Sequence, residues 1–325
     1  MRKPRRGVIM VAVQALDRSA RPLLRKTRLL AKARDCDVKL VHVIALPFTP
    51  AVSRRAQLQQ AARDIISDRR GRLQRLAASA ELRGVQVSAS VTWDYPAADG
   101  LVRQVLRHRP VMLLAESHRH SRLLRPFLSN TDWDLVRKCP CPVWLSKSSR
   151  ARVDGPVVAA LDPLHAHAKP AQLDSIILEH ALAVARGKPG RVLACHAYRL
   201  PAPMAVDGAV DAYWIGVSAA EMQQYEATVQ RQLQRLTDKY HIPAANRLLV
   251  RGDAAAALAR VAKQRRAIAV VMGAVSRSAM KRLFIGHTAE RVLDTLVCDV
   301  LVVKPRGFRS DVALRPSLVP ALPPI

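Results

Sequence analysis

The strongest constraint on this chain is an internal repeat, in which two long segments match at a constant offset of 157 residues. Residues 113–147 lie over residues 270–304 without a gap, so that Lys147 falls on Lys304. A chain of 325 residues that repeats in this way is two copies of one unit, and each copy is long enough to bury a core of its own.

The beginnings of the two halves also correspond, with small changes of offset that loop insertions explain. Strand-like segments match in pairs, residues 8–14 with 157–162 and residues 38–43 with 192–197. The second match places His42 over His196. Apolar runs of five or six residues, separated by helix-length segments, predict parallel strands buried on both faces. Each half is therefore predicted as β-α-β-α-β-α-β-α-β, an α/β unit with an open, twisted, five-stranded parallel sheet and flanking helices.

Helix-capping signals agree with this layout. Ser218 and Glu221 have capping-box spacing ahead of a helix that is predicted to run to about Tyr240, and Asp253 is placed to cap the next helix. In the first half, a helix is predicted over residues 57–82, and Gly84 can end it. The predicted organisation follows: a first domain at 1–147, a linker at 148–155, a second domain at 156–305 and an irregular, proline-rich tail at 306–325.

A glycine-containing loop in the second half has the chemistry of a phosphate site. Gly273 comes directly after a buried apolar run, and Gly286 precedes a helix-like segment. Glycine allows a tight turn that brings backbone N–H groups against a phosphate, and the start of a helix adds partial positive charge. The alternative is structural: Gly273 ends a strand, Gly286 begins a helix, and no ligand is involved.

The spacing of this loop resembles the Gly-x2-Gly-x9-Gly-Ser/Thr signature of the universal stress protein family. Here it reads Gly273, two residues, Ser276, nine residues, Gly286, His287 and Thr288. Ser276 stands in place of the second glycine, and His287 in place of Ser or Thr. The resemblance extends over about residues 7–305 and is nearest to the two-domain E-type members. It implies a Rossmann-like, adenine nucleotide alpha hydrolase-like fold, whose two domains pair through their last strands, 143–147 and 300–304, as an intramolecular pseudodimer.

The resemblance also implies a ligand and a set of site residues. Asp162, at the end of the first strand of the second half, would hold the adenosine part of ATP, ADP or AMP. The residues implied around the phosphates are Met272, Gly273, Ser276, Arg277, Gly286, His287 and Thr288. The first half has Gln14, Glu116 and Ser129 at the positions of Asp162, Gly273 and Gly286. Because a carboxylate repels a phosphate, residues 1–145 are not expected to bind ATP.

The charge of the chain is extreme and uneven. The net charge is +28, with 30 basic and 11 acidic side chains in residues 1–150, against 23 and 14 in residues 151–325. A field of this size attracts polyanions such as nucleic acid, anionic lipid or acidic proteins. Arginine outnumbers lysine 41 to 12, which is also what a GC-rich genome encodes by default. No nucleic-acid fold motif accompanies the charge, and aromatic residues are scarce.

Other features limit the function classes. Five cysteines without a Cys-x-x-Cys pair favour reduced thiols in a cytoplasm, and no metal site is expected. The basic residues 2–6 precede a short apolar run that the repeat explains as a strand, so neither an export signal nor a membrane span is expected. No catalytic motif is present, which predicts a non-catalytic stress-response module with at most weak ATP hydrolysis. The alternatives are a ligand-independent or lipid-binding interaction protein and a basic polyanion-binding protein; a homodimer is a possible assembly.

Overall fold

The computed structural model describes residues 6–45, 55–117, 130–147, 152, 154–164, 172–199, 204–205, 214–215, 218–274 and 287–315. The first half contains β1 (Gly7–Ala12), α1 (Arg21–Arg34), β2 (Cys36–Ile44), α2 (Arg55–Ala77), β3 (Val87–Trp93), α3 (Ala97–His108), β4 (Met112–Glu116), α4 (Asn130–Lys138) and β5 (Val143–Ser146). The second half contains β6 (Val157–Ala160), α5 (Leu173–Val184), β7 (Val192–Tyr198), β8 (Met204–Ala205), β9 (Trp214–Ile215), α6 (Ala219–Asp238), β10 (Arg247–Arg251), α7 (Ala254–Gln264), β11 (Ala269–Gly273), α8 (His287–Thr295) and β12 (Asp299–Val303).

Ten of these strands form one sheet, in the order β10-β7-β6-β11-β12-β5-β4-β1-β2-β3. Within each half all neighbours are parallel, and the order within the half is the same when read outward from the centre. The predicted five-stranded parallel arrangement is confirmed in each half, and the two sets of strands are joined in one sheet. The two-residue strands β8 and β9, which form a separate antiparallel pair, were not predicted.

The local predictions agree with the structure, with one shortening. The Ser218–Glu221 capping box and the Asp253 cap are both present. The α2 helix ends at Ala77 rather than near residue 82, and a single 3-10 turn follows before Gly84 reverses the chain at a φ of +81°. A side chain rarely adopts that backbone conformation, so glycine fits the turn. The limits of the domains, the linker and the tail stay a prediction.

Two apolar layers cover the sheet, one on each face. Because strand side chains alternate, Ile9 and Val11 enter one layer and Met10 and Ala12 the other. Helices α1, α2, α5 and α6 contribute to the first layer, and α3, α4, α7 and α8 to the second. The far end of the described tail contacts α3, where the Arg103 Nε–H donates to the Ala313 carbonyl at 2.9 Å and Arg107 donates to the Leu314 carbonyl at 3.2 Å.

The two halves meet at a seam where β12 pairs with β5 in antiparallel fashion. Trp144 lies opposite Leu301, which is its own repeat equivalent at an offset of 157 residues. A pseudo-twofold axis therefore passes through this pair, and the predicted pairing of the last strands is confirmed. The sheet is continuous, but strand direction reverses at the seam, so each half stays recognisable.

Lysines at equivalent positions tie the halves together across the seam. Lys147 Nζ donates to the carbonyls of Leu293 and Leu296, the latter at 3.1 Å, close to the end of α8. Lys304 Nζ donates to the Arg137 carbonyl in α4 at 3.3 Å. Cations are favoured at the carboxyl ends of helices, where carbonyls lack partners within the helix. The same lysine contact therefore occurs once in each direction across the seam, and we call the two contacts the lysine clamp.

A buried ion pair at the seam has no such symmetry. Lys26 of α1 and Asp299 of β12 are 1% and 3% exposed, and their charged atoms lie 2.6 Å apart. Asp299 also accepts from Trp144 Nε1 at 2.9 Å and from the Lys147 N–H at 3.1 Å. The repeat equivalent of Asp299 is Pro142, so this network exists on one side of the axis only.

We predict that Asp299→Ala lowers the free energy of unfolding by about 3–5 kcal/mol, since it leaves the Lys26 ammonium buried without its carboxylate. Urea denaturation followed by far-UV circular dichroism measures the loss. Asp154→Ala is the control, because Asp154 forms surface ion pairs with Arg186 and Arg191, and it should leave the urea midpoint almost unchanged. Equal effects of the two variants would show that the buried pair does not hold the seam.

A histidine on α5 predicts how stability depends on pH. Burial, helped by the nearby charge of Arg34, lowers the pKa of His180 to about 4 from an ordinary 6.5. Between these values the unfolded chain binds the proton and the folded chain does not. The free energy of unfolding therefore decreases as the pH falls from 6.5 to 4. We predict that His180→Gln makes this loss shallower. Urea midpoints across that pH range test it, with the exposed His241→Gln as control; parallel curves for wild type and His180→Gln would contradict it.

Candidate nucleotide site

The candidate site lies at the carboxyl ends of β6 and β11, which are neighbours in the sheet. After β6 the chain passes through α5 to β7 on one side, whereas after β11 it passes through α8 to β12 on the other. This divergence is the topological switch point of the second half, where open α/β sheets bind ligands. The equivalent point in the first half lies between β1 and β4.

Asp162, two residues beyond β6, is held in place through its backbone. Its N–H donates to Asp174 Oδ1, in the first turn of α5, at 3.1 Å. The preceding carbonyl, that of Leu161, lies 2.9 Å from His196 Nδ1. A carbonyl only accepts, so this ring nitrogen must carry the proton. The Asp162 side chain is half-buried at the edge of the sheet.

The first half repeats this arrangement with different chemistry at its end. His42 Nδ1 donates to the Val13 carbonyl at 2.7 Å, as His196 does to Leu161. Burial is the main cause that lowers the pKa of His42, which favours the neutral ring. The residue that follows Val13 is Gln14. The structure therefore places an amide in the first half where the second half has a carboxylate.

Gly273, the last residue of β11, is required by packing. A Cβ added at Gly273 would lie 2.5 Å from Leu173 Cδ2 and 2.9 Å from its Cγ, so the first residue of α5 occupies the space of a side chain. In the first half, Glu116 pairs with Ser146 as Gly273 pairs with Val303, and 116 and 273 are repeat equivalents. Close packing against α5 is thus a structural reason for a glycine at position 273, independent of any ligand.

The predicted site residues divide into three groups. Asp162 follows β6 and Gly273 ends the neighbouring strand β11, so both lie at one edge of the sheet. Met272 is 5% exposed and its side chain belongs to the second apolar layer, so only its backbone is available to a ligand. His287 and Thr288 are the first two residues of α8, and their side chains lie outside the described part of the chain. Ser276, Arg277 and Gly286 also lie outside it.

A charged cluster that sequence reasoning missed lies at the same edge, beyond β7 and β10. Asp253 caps α7 by accepting from the N–H groups of Ala255 and Ala256 at 3.1 and 3.2 Å. Arg291 of α8 donates two hydrogen bonds to its carboxylate, at 3.0 and 3.1 Å, and Arg199 donates a third. The sequence predicted the cap, but the arginines approach from segments 54 and 38 residues away.

Electrostatics of this cluster favour the charged carboxylate. Desolvation alone would raise the pKa of Asp253, but the Ala256 N–H and the charges of Arg291 and Arg199 lower it on balance. The cluster brings two guanidinium groups to the carboxyl edge of the second half, and both are paired with the same carboxylate.

In the described residues there is no group of three or more His, Cys, Asp or Glu side chains placed to hold a metal ion. None of the described helices is long and apolar enough to cross a membrane.

Comparison with known proteins assigns the family. The model of the universal stress protein family matches residues 6–147 and again residues 172–304. The chain belongs to this family, with one domain of it in each half. Universal stress protein E of Escherichia coli is 25% identical over 237 residues, covering 71% of this chain and 72% of the relative. Universal stress protein E of Photorhabdus laumondii is 25% identical over 235 residues, covering 70% and 72%.

Solved structures show the same fold at lower identity. A functionally unknown protein from Pseudomonas aeruginosa superimposes with a TM-score of 0.66 at 22% identity, covering 92% of each chain. A universal stress protein from Archaeoglobus fulgidus superimposes with a TM-score of 0.60 at 12% identity, covering 91% of this chain and 98% of that one. Both alignments extend over the two halves together.

We predict that Gly273→Ala lowers the free energy of unfolding by about 1–3 kcal/mol, because the new methyl group overlaps Leu173. The double variant Gly273→Ala/Leu173→Ala should lose less than the sum of the two single variants, since shortening Leu173 removes the overlap. Gly190→Ala is the control, as a Cβ there meets nothing within 4 Å. Urea denaturation measures all four; strictly additive losses would rule out the contact as the reason for the glycine.

Proposed function

We propose that this universal stress protein binds an adenine nucleotide in its second domain only, and that it acts as a non-catalytic stress-response module. The observation that supports this most is the difference between equivalent positions. Matching hydrogen bonds hold the ends of β1 and β6, yet Gln14 follows one strand and Asp162 the other. Glu116 and Gly273 also differ, and here the first half has the carboxylate. The second half keeps groups that suit a nucleotide, and the first half has replaced them.

The proposed roles follow from the chemistry of each group. Asp162 accepts hydrogen bonds from the adenosine part, because a carboxylate pairs with hydroxyl donors. Gly273, Ser276 and Gly286 offer backbone N–H groups to the phosphates, with Arg277 as a nearby cation. His287 and Thr288 are at the amino end of α8, where the helix adds partial positive charge. Met272 contributes through its backbone.

The first domain is proposed not to bind ATP. Glu116 ends β4 where Gly273 ends β11, and a carboxylate at that place opposes the phosphate charge. The first domain therefore supports the second through the seam instead of duplicating its site.

The setting that we propose is the cytoplasm. All five cysteines are free thiols. Sγ of Cys139 and Sγ of Cys141 lie 3.6 Å apart, at hydrogen-bond distance and not joined in a disulfide, which suits a reducing compartment. The ligand-independent and lipid-binding alternatives, and an acidic protein partner, stay open proposals. Because β5 and β12 are paired within the chain, a homodimer would have to use a surface other than the last strands.

We predict that isothermal titration calorimetry of the full chain detects binding of ATP, ADP or AMP at one site per chain. Asp162→Ala should weaken the binding at least about tenfold, or about 1.4 kcal/mol, because the adenosine part loses its acceptor. Gln14→Ala is the matched control, since it alters the equivalent position of the first domain, and it should leave the affinity unchanged.

Three outcomes would count against this proposal. Absence of heat from all three nucleotides would remove nucleotide binding. Two sites per chain would show that the first domain has kept its function. Equal losses in the Gln14 and Asp162 variants would show that the site is not where we place it.

A further inference from the structure

Among the helices that the structure describes, the net positive charge is concentrated on two neighbours, α1 and α2. The α1 helix carries six Lys or Arg and no Asp or Glu, for a net charge of +6; five of these cations remain for the surface, because Lys26 is buried and paired with Asp299. The α2 helix carries six Arg and two Asp, for a net charge of +4. Both contribute to the same apolar layer, and α1 packs against the 3-10 turn that follows α2. Together they form one surface, which we call the α1–α2 surface.

The repeat supplies an internal control for this charge. On the same face of the sheet, the equivalent helices of the second half, α5 and α6, carry net charges of −2 and −1. On the opposite face, α3 with α4 carries +1, and so does α7 with α8. A compositional bias of the genome would raise the charge of all eight helices. The excess on the α1–α2 surface therefore needs a cause of its own.

The cations of α1 form a row on its outer side. Arg18, just before the helix, is followed by Arg21, Arg25, Arg28 and Lys32, at intervals of three and four residues that keep them on one side of the helix. All are exposed except Arg28, which is half-buried. From Arg21 to Lys32 the row is about 16 Å long, at a rise of about 1.5 Å per residue.

Few carboxylates oppose this row. Glu81 lies 3.4 Å from Arg21 and 3.7 Å from Arg25, so one acid is shared between two guanidinium groups. On α2, the Asp68 carboxylate is paired with Arg72 at 3.0 Å, whereas Arg63, Arg70 and Arg75 extend the exposed basic charge. The arginines of these pairs are about half exposed, and ion pairs that face solvent contribute little to stability.

We propose that the α1–α2 surface binds the phosphate backbone of double-stranded nucleic acid without reading its sequence. A row of about 16 Å corresponds to roughly five base steps at 3.4 Å each along one strand. Backbone contacts of this kind give affinity and little sequence selectivity. The proposal does not rest on the nucleotide site, which lies at the carboxyl edge of the other half.

The make-up of the two helices favours a duplex over other polyanions. Neither contains Phe, Trp or Tyr, and binding of single strands relies on stacking of bases on such rings. The large apolar side chains that are exposed in the described residues are Tyr95, Val111, Val297 and Leu314, and none lies on α1 or α2. Peripheral membrane helices bury an apolar face in the lipid, whereas the apolar face of α1 is packed on the sheet.

Fluorescence anisotropy with a labelled DNA duplex of about 20 base pairs, titrated between about 50 and 200 mM salt, tests the proposal. The test variant is Arg18→Gln/Arg25→Gln/Arg28→Gln/Lys32→Gln, which leaves Arg21 beside Glu81. The control, Arg260→Gln/Lys263→Gln/Arg265→Gln/Arg266→Gln, removes the same four charges from exposed positions at the end of α7. Circular dichroism and urea midpoints verify that both fold.

We expect wild-type affinity for the duplex to fall steeply with salt. The α1 variant should bind at least about tenfold more weakly, and its salt slope should be shallower by roughly 3 to 4. The α7 control should stay within about twofold of wild type. The proposal is overturned if the wild type does not bind, if both variants lose equally, or if a single strand or vesicles of phosphatidylglycerol bind as tightly as the duplex. Asp162→Ala should leave duplex affinity unchanged. The α1 variant should bind ATP as the wild type does, so that a failure of one proposal can be told from a failure of the other.

Discussion

The antiparallel pairing of β5 with β12 is the contact on which the architecture depends. Two parallel five-stranded sheets each end in a strand whose outer edge has unpaired N–H and C=O groups, and such edges are liabilities when exposed. Pairing them satisfies both edges at once. Because Trp144 faces its own repeat equivalent, Leu301, the register of the seam is the one in which the two halves are related by a twofold axis. The axis therefore also relates the carboxyl edge of the second half, where the candidate site lies, to the equivalent edge of the first half.

Duplication has allowed the two halves to diverge around a shared frame. The lysine clamp and the histidine bond to the end of the first strand are kept in both copies, since each serves the fold. The groups at the carboxyl edge and on the outer helices differ. The second half has Asp162 and Gly273 at its carboxyl edge, whereas the first half has Gln14 and Glu116 there and carries the row of cations on α1. Two copies that share a fold but differ in function would keep the contacts that hold the fold and change the residues at the surface.

Much of this could be predicted from the sequence, because it depends on local patterns and on the repeat. Apolar runs gave the strands, the capping residues at Ser218 and Asp253 gave helix starts, and the constant offset placed Lys147 and Lys304 at equivalent positions. The pairing of the last strands came from the family resemblance. The Lys26–Asp299 pair could not be predicted, as its partners are separated by most of the chain and Asp299 has only a proline as its equivalent. The contact between Gly273 and Leu173 was equally hidden, since it depends on the angle at which α5 crosses the sheet. The concentration of positive charge on α1 and α2 also could not be recognised as one surface, because the sequence does not show that these two helices lie side by side on the same face of the sheet.

Hydrogen exchange measured amide by amide tests the central role of the seam most directly. If the seam joins the halves into one cooperative unit, amides of residues 143–146 and 300–302 exchange only through global unfolding and are the slowest in the protein, while those of the outer strands β3 and β10 open earlier. Seam amides that exchange as fast as the outer strands, or two halves that open with separate free energies, would contradict the account.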